Sequence, residues 1–401
     1  MKYLILGAGV AGLTFATYLK HVRKENSFLV LESENEVGGL CRSVTVDNAP
    51  LDIGGGHFLD VRRPKVTEYL FRFMPEQEWE KYNRNSKIKF KDIFINHPFE
   101  GNIWQMNIED QVEYLESIAK AGCNIGEKIP EKFVDWIYWK LGNKIAEDYM
   151  IPYNKKMFGE NLNELGIYWL DKLPSVNFRE TLLSCLDKKF YGKQPGHAQF
   201  YYPKKFGYGE VWRRMAESIS ENIECNKKVI AIDFDSNKIT TEDGTNYKAD
   251  KIITTIPWAE FHEIKGMPEN LKSDIKNLKH TGVQIKYFSD NIKTDAHWIY
   301  FSDLEISYHR ILCRHSWNKN YNGYWTETRL ERVIGDIEDK KFSFANFYAY
   351  PLNTIDKPRI MKNLLTWCRE KNIYGLGRWG EHNHYNSDLV AESAILLAEK
   401  I

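Results

Sequence analysis

Met1-Lys-Tyr-Leu-Ile-Leu6, running straight into Gly7-Ala-Gly-Val-Ala-Gly12, decides the fold. The first six residues read as a short apolar strand, and the next six carry glycines in the spacing G-x-G-x-x-G. Val10, Leu13, Ala16, Tyr18 and Leu19 then recur at helical spacing, so a helix opens directly after the turn. In such a unit the first glycine permits the tight turn. The second lets backbone approach a pyrophosphate, and the third lets helix and strand pack closely. The helix start offers unbonded N–H groups and a partial positive charge, so Val10 and Ala11 join Gly7, Gly9 and Gly12 as expected cofactor contacts. Phe28-Leu-Val-Leu31 reads as the second strand, and Glu32 ends it, twenty residues past Gly12. An acid at that place accepts ribose hydroxyls.

Outward from this unit, residues 64–187 take on a mainly helical pattern, with apolar spacing of that kind over 111–121 and 132–149. Strands return at 229–234, 238–241 and 252–256, and Asp243-Gly244 is expected to turn the chain between the first two. Residues 258–350 are mixed, with β-rich pieces at 281–288 and 307–313. Ile373-Tyr-Gly-Leu376 reads as a strand, Gly377-Arg-Trp-Gly380 as a turn, and Asn386-Ser-Asp388 as the cap of a last helix over 389–400. The fold class expected is α/β. A Rossmann-type domain is assembled from 1–63, 203–257 and 366–401, with a mainly helical insertion over 64–202 and a β-rich substrate-side region over 258–365.

The chain has 401 residues, with 55 basic and 55 acidic side chains. A zero balance gives no field of one sign, which excludes a general nucleic-acid binder. No apolar run is long enough to span a bilayer. The first residues are already a strand rather than a leader, and six scattered cysteines show no paired spacing, so a cytoplasmic protein with reduced thiols is expected. Aromatic residues are abundant, with 12 Trp, 23 Tyr and 21 Phe, a supply suited to a pocket that stacks flat rings or sugars.

The glycine unit alone does not separate FAD from NAD. Gly38-Gly39-Leu40-Cys-Arg42-Ser43 resembles the GGxxRS element of amine-oxidase-type flavoproteins, and Asp52-Ile-Gly-Gly-Gly56-His57 resembles their glycine stretch beside the isoalloxazine. Lys228-Val229 and Thr254-Thr-Ile-Pro257 are similar to their later adenine-side strands. Gly377-Arg378 with the last helix resembles the piece that sets a helix start, here around Asp388 and Leu389, at the flavin pyrimidine. A helix N-terminus there stabilises negative charge on a reduced flavin. The resemblance therefore implies FAD, held without a covalent bond.

The middle and end narrow the resemblance to the UDP-galactopyranose mutase family. Asn96-His-Pro98-Phe99-Glu-Gly-Asn102 resembles YPxxxN, and Tyr153-Asn-Lys-Lys-Met-Phe158-Gly159 resembles YTxKxWG. Leu162-Asn-Glu-Leu165 and Lys172-Leu-Pro174 continue the match. Tyr308-His-Arg310-Ile-Leu-Cys-Arg-His315 resembles the segment with a diphosphate-binding arginine, and Tyr350-Pro-Leu-Asn353 matches YPxN. Residues 377–388 match the closing GRxxEYxYxxxD pattern. The resemblance implies a pyranose–furanose exchange of a nucleotide-activated sugar, as in surface polysaccharide synthesis. Reduced flavin N5 acts as nucleophile, and NAD(P)H is a candidate external reductant.

Arg310 is the expected diphosphate clamp, because arginine is always charged and grips phosphate oxygens with two donors. Its bland alternative is a surface ion pair. Tyr350 and Tyr385 complete the expected catalytic set, and Tyr153, Phe158, Asn102, Arg179 and His384 the substrate contacts. Three positions depart from the pattern. Arg179 is the nearest arginine to the family's second one after Leu-Pro, Phe158 replaces a stacking tryptophan, and His384 replaces a tyrosine. No metal is expected at His315, His382 and His384, which lack a carboxylate partner pattern. Two other readings stand beside the mutase: an oxidase of the amine or protoporphyrinogen type, and a flavin-binding scaffold without catalysis. Arg310 with Tyr350-Pro-Leu-Asn353 speaks for a mutase over the oxidase, and Glu32, Arg42 and Arg378 speak against the scaffold.

Overall fold

In the computed structural model, Tyr3–Leu6 forms the central strand of a five-stranded parallel sheet. The structure describes residues 1–122, 126–170, 176–192, 198–335 and 342–401. All four residues of that strand are fully buried, as expected of a parallel sheet covered on both faces. The sheet order is Ile223–Glu224, Phe28–Leu31, Tyr3–Leu6, Lys251–Thr254, Ile373–Gly375, so its strands come from the start, middle and end of the chain. Leu6 pairs in register with Leu31 on one side and Thr254 on the other, and Thr254 with Gly375. The carboxyl ends of four strands are thus level, which is where open α/β sheets bind ligands. The helix Val10–His21 packs on the last helix, Ser387–Lys400.

This sheet belongs to a compact unit made of Met1–Lys81, Tyr201–His280 and Asp356–Ile401. The unit holds a second sheet, ordered Asn246–Lys248, Lys238–Thr241, Val229–Asp233, Glu263–Lys265. Here the structure corrects the expected turn. Asp243-Gly244 connects Lys238–Thr241 to Asn246–Lys248, a strand too short to stand out, whereas the first hairpin turns through Asn237 at φ 49°. Asp243 Oδ1 accepts from Thr241 Oγ1 at 2.6 Å and from Thr245 N at 3.0 Å, which fixes that second turn. One apolar core joins Phe234, Leu271, Ile275, Ile360, Leu364 and Ile373.

The other unit comprises Tyr82–Phe200 and Thr281–Ile355. Its seven-stranded sheet runs Ser343–Pro351, His280–Phe288, Tyr324–Arg329, Arg310–Cys313, Trp298–Phe301, Ser86–Phe90, Ile93–Asn96. The last two strands lie inside the stretch expected to be mainly helical; they are short, and their alternation was hidden among polar residues. The helix expected over 132–149 is also interrupted. Phe133–Ile145 contains Gly142 at φ 75°, a π turn follows over Ala146–Met150, and Ile151–Phe158 resumes the helix. A Cβ at Gly142 would lie 2.4 Å from Ser117 O, so only glycine lets these two segments approach. Helix Phe178–Asp187 starts with a capping box, in which Asn177 Oδ1 accepts from Glu180 N and Glu180 Oε2 from Asn177 N, both at 2.9 Å.

Candidate active site

The first unit carries a glycine cradle. Gly7 has φ +100°, and a Cβ there would meet Thr255 Oγ1 at 2.6 Å; one on Gly12 would meet Gly7 O at 2.0 Å. Gly9 faces Gly38 across an isolated parallel bridge, and Gly38 N donates to Ala8 O at 2.8 Å. Gly38 and Gly39 both have positive φ, so two glycine turns lie backbone to backbone without side chains between them. Val10 begins the helix and Gly9 precedes it, and no side chain caps that end. The first-turn N–H groups lack intrahelical partners by geometry, which suits an anion.

Glu32 is buried at the end of its strand, where Oε2 accepts from Ala8 N at 2.7 Å and Oε1 from Glu34 N at 3.1 Å. Oε1 accepts a second bond from Ser33 Oγ at 3.1 Å, whereas Oε2 keeps a lone pair for a ribose hydroxyl. Lys227 N donates to Glu32 O at 2.8 Å and Asn226 N to Glu34 O at 3.0 Å, which brings the start of Val229–Asp233 beside the acid loop. Leu40 lies in the 3-10 turn Gly39–Cys41, and its carbonyl would be 1.8 Å from a Cβ on Gly54. Arg42 Nε donates to Gly39 O at 3.2 Å. Fully buried Asp52 fastens the next loop: it accepts from Ser43 Oγ at 2.5 Å, Tyr202 Oη at 2.8 Å and Tyr208 N at 3.0 Å. Gly56 is partly buried there, and the His57 ring stacks on Tyr208 at 6.5 Å with its Nδ1 3.1 Å from Gly55 O.

The closing segment behaves differently from its expected cap. The last helix begins at Ser387, two residues early, and Asn386 makes no side-chain capping bond. Asp388 and Leu389 fall in its first turn. Asp388 Oδ2 accepts from Arg63 Nε at 2.7 Å, while its buried Oδ1 has no partner, an acceptor left for a ligand donor. Arg378 turns its guanidinium onto Tyr385 O at 3.0 and 2.7 Å, so its charge closes its own turn. Tyr385 Oη accepts from Asn383 Nδ2 at 3.0 Å, and burial pushes its pKa up. His384 is partly buried in the same turn.

The second unit gathers the expected substrate residues. Arg310 stands directly opposite Glu327 on one neighbouring strand and Tyr300 on the other. Its Nε donates to Glu327 Oε2 at 3.0 Å, Nη2 donates to the same oxygen, and Nη2 reaches Tyr350 Oη at 3.4 Å. The surface-pair alternative does not describe this arrangement, because Glu327 has a side-chain exposure of 1%. Burial alone would push the Glu327 carboxyl up, but Arg310 and His309 hold it at about 2. Tyr153 joins from helix Ile151–Phe158, edge-on to Tyr300 at 5.7 Å and stacked on Tyr149 at 5.8 Å.

The other expected contacts have these surroundings. Phe158 is buried edge-on against Trp169 at 5.9 Å. Asn102 is buried and spends its Nδ2 on Pro98 O at 2.8 Å, a bond that fixes its own loop. Arg179 is exposed on the first turn of the capped helix Phe178–Asp187. The Lys172-Leu-Pro174 match that led to it lies outside the described residues. Missed in the sequence were Arg84, Tyr300, His309, Glu327 and Lys156. Strand register sets Tyr300 and Glu327 on either side of Arg310, His309 directly precedes it, and Arg84 joins through the Tyr300 hydroxyl. Lys156 is fully buried, its Nζ donates to Asp303 O at 2.7 Å, and burial lowers its pKa to about 7. Among the described residues, no group of three or more His, Cys, Asp or Glu could hold a metal, and no helix is long and apolar enough to cross a membrane.

The fold is shared with solved structures. A reduced UDP-galactopyranose mutase is 19% identical with TM-score 0.88, over 99% of this chain and 93% of that one. A putative protoporphyrinogen oxidase from Exiguobacterium sp. 255-15 is 13% identical with TM-score 0.71, over 100% and 98%. A putrescine oxidase bound to putrescine is 14% identical with TM-score 0.62, over 100% and 98%. The family of flavin containing amine oxidoreductases matches residues 10–288, well over half of the sequence. With that match laid over the glycine cradle, Glu32 and the parallel sheet, the chain belongs to the flavin containing amine oxidoreductase family.

Proposed function

We propose that this protein binds FAD without a covalent link and isomerises a nucleotide-activated sugar between pyranose and furanose forms. The cofactor residues would be the Gly7–Gly12 turn for the pyrophosphate, Glu32 for the ribose and Val229 for the adenine side. Gly39, Leu40, Arg42, Gly56 and His57 would lie along the ring system, with Asp388 and Leu389 at its pyrimidine end. When bound and reduced, the flavin supplies a nucleophilic nitrogen toward the anomeric carbon.

The observation that carries the reading is Arg310, partly buried in the sheet, within reach of the Tyr350 hydroxyl and held by the buried Glu327. Its role is to take the charge of the departing diphosphate. Glu327 fixes the guanidinium in one orientation, so little side-chain freedom is lost on binding. Tyr153 and Tyr350 offer hydroxyls to sugar and phosphate, and Tyr385 acts from the turn closed by Arg378. The likeness to a UDP-galactopyranose mutase over nearly the full chain supports the reading, as do the collinear motifs. An external reductant such as NAD(P)H would keep the flavin reduced, and a cytoplasmic place in surface polysaccharide synthesis fits the chemistry.

A second reading, a flavin oxidase, is favoured by the family match and by the oxidases sharing the fold. An oxidase of apolar amines has no use for a half-buried guanidinium beside a tyrosine hydroxyl. Incubating dithionite-reduced protein with a panel of UDP-, GDP- and dTDP-sugars, then separating products, tests the choice. A new ring isomer from one donor supports the mutase; unchanged sugars throughout would remove it.

A further inference from the structure

The tyrosine cluster of the second unit contains buried polar atoms that nothing in the described protein satisfies. Tyr300 is 7% exposed, and its hydroxyl accepts from Arg84 Nη2 at 2.6 Å. A phenol that accepts still has one proton to donate, and no acceptor for it is found among the described residues. Its ring lies 5.3 Å from that of His97, whose buried Nδ1 has no partner, and 5.7 Å from that of Tyr153. Tyr153 in turn lies 6.4 Å from His309, whose Nε2 is 3.6 Å from Glu327 Oε2 and whose buried Nδ1 has no partner. Buried polar groups are satisfied as a rule, so several together beside one tyrosine pair mark where a polar ligand completes the set.

The charge balance says which ligand. Arg310 is matched by the Glu327 carboxylate, so this pair carries no net charge. A diphosphate brings two negative charges and needs donors beyond Arg310. Tyr300 stands directly across from Arg310 in strand register, and a guanidinium on its oxygen strengthens its remaining proton as a donor to an anion.

We propose that Tyr300 is a substrate-binding residue whose hydroxyl, held by Arg84, donates to an anionic oxygen of the diphosphate beside Arg310. The assignment rests on the nucleotide-sugar reading above and names a residue pair for the part expected of Arg179. Arg84 acts through Tyr300 and is a positioning residue: its Nε donates to Ser86 Oγ at 2.8 Å and its guanidinium lies over the Trp298 ring.

Tyr300→Phe removes one hydroxyl and keeps the ring packing. UDP is titrated into flavin-loaded wild type, Tyr300→Phe, Arg84→Lys and the double variant, with melting temperature and flavin content followed in parallel. The expected loss of UDP affinity in Tyr300→Phe is roughly ten-fold to a hundred-fold, that of one hydrogen bond to a charged partner. Arg84→Lys should weaken UDP binding in the wild type but not further in Tyr300→Phe, a coupling that a merely structural arginine would not show. Arg179→Ala should leave UDP affinity unchanged. If wild type binds UDP and Tyr300→Phe binds it equally well, the proton goes to water and the assignment is overturned while the nucleotide-sugar reading stands. If wild type binds no nucleoside diphosphate, that reading falls and takes Tyr300 with it.

Discussion

At Arg310 two guanidinium nitrogens converge on one buried carboxylate oxygen, so the residue answers to stability as well as to substrate. Arg310→Ala leaves the buried Glu327 carboxylate without its guanidinium, which costs about 3–5 kcal/mol. The variant should melt well below wild type, so a loss of activity in it would not isolate a substrate role. Arg310→Lys keeps the charge but loses the forked geometry, and it should retain most of the stability while weakening diphosphate binding. Differential scanning calorimetry beside UDP titration separates the two effects. Glu32 makes the same point in the other unit, since it holds Ala8 N and Glu34 N besides any ribose. Glu32→Gln keeps the carbonyl acceptor, so it should fold and lose flavin on dialysis, with occupancy read from absorbance.

The glycine turn and the strands around it are the elements the cofactor depends on. Gly12→Ala places a methyl 2.0 Å from Gly7 O, a backbone atom that cannot move aside, so that variant should yield colourless or insoluble protein. Helix Ile151–Phe158 carries a different liability in Lys156. Its folded pKa, about 7, lies below the ordinary lysine value of 10.5, so between these pH values the unfolded chain binds more protons. Stability therefore rises with pH across that window through this group. Lys156→Met should flatten the rise, and denaturant melts at pH 7 and pH 10 check it. The parallel sheet, its glycines and Glu32 were legible because each is a local pattern of apolar run, turn and acid. Lys156 was not, because a lysine in a helical stretch reads as solvated face until packing encloses it. Tyr300 and Glu327 were hidden for another reason: they sit on separate strands, and only register sets them beside Arg310.

Across the whole molecule, one unit carries the dinucleotide cradle and the other the charged tyrosine cluster. Heating the purified protein should release FAD intact into the supernatant, identified by its fluorescence rise on phosphodiesterase cleavage. Flavin retained on the denatured chain would instead show a covalent link. The central claim is that a reduced flavin serves a nucleotide sugar here rather than an oxidised flavin serving an amine. Turnover in the two redox states decides it most directly. Under anaerobic dithionite, a UDP-hexofuranose should convert to its pyranose form, conversion should stop when air reoxidises the flavin, and amines in air should give no hydrogen peroxide. Peroxide released from an amine, with no change in the sugar ring under reducing conditions, would contradict the account.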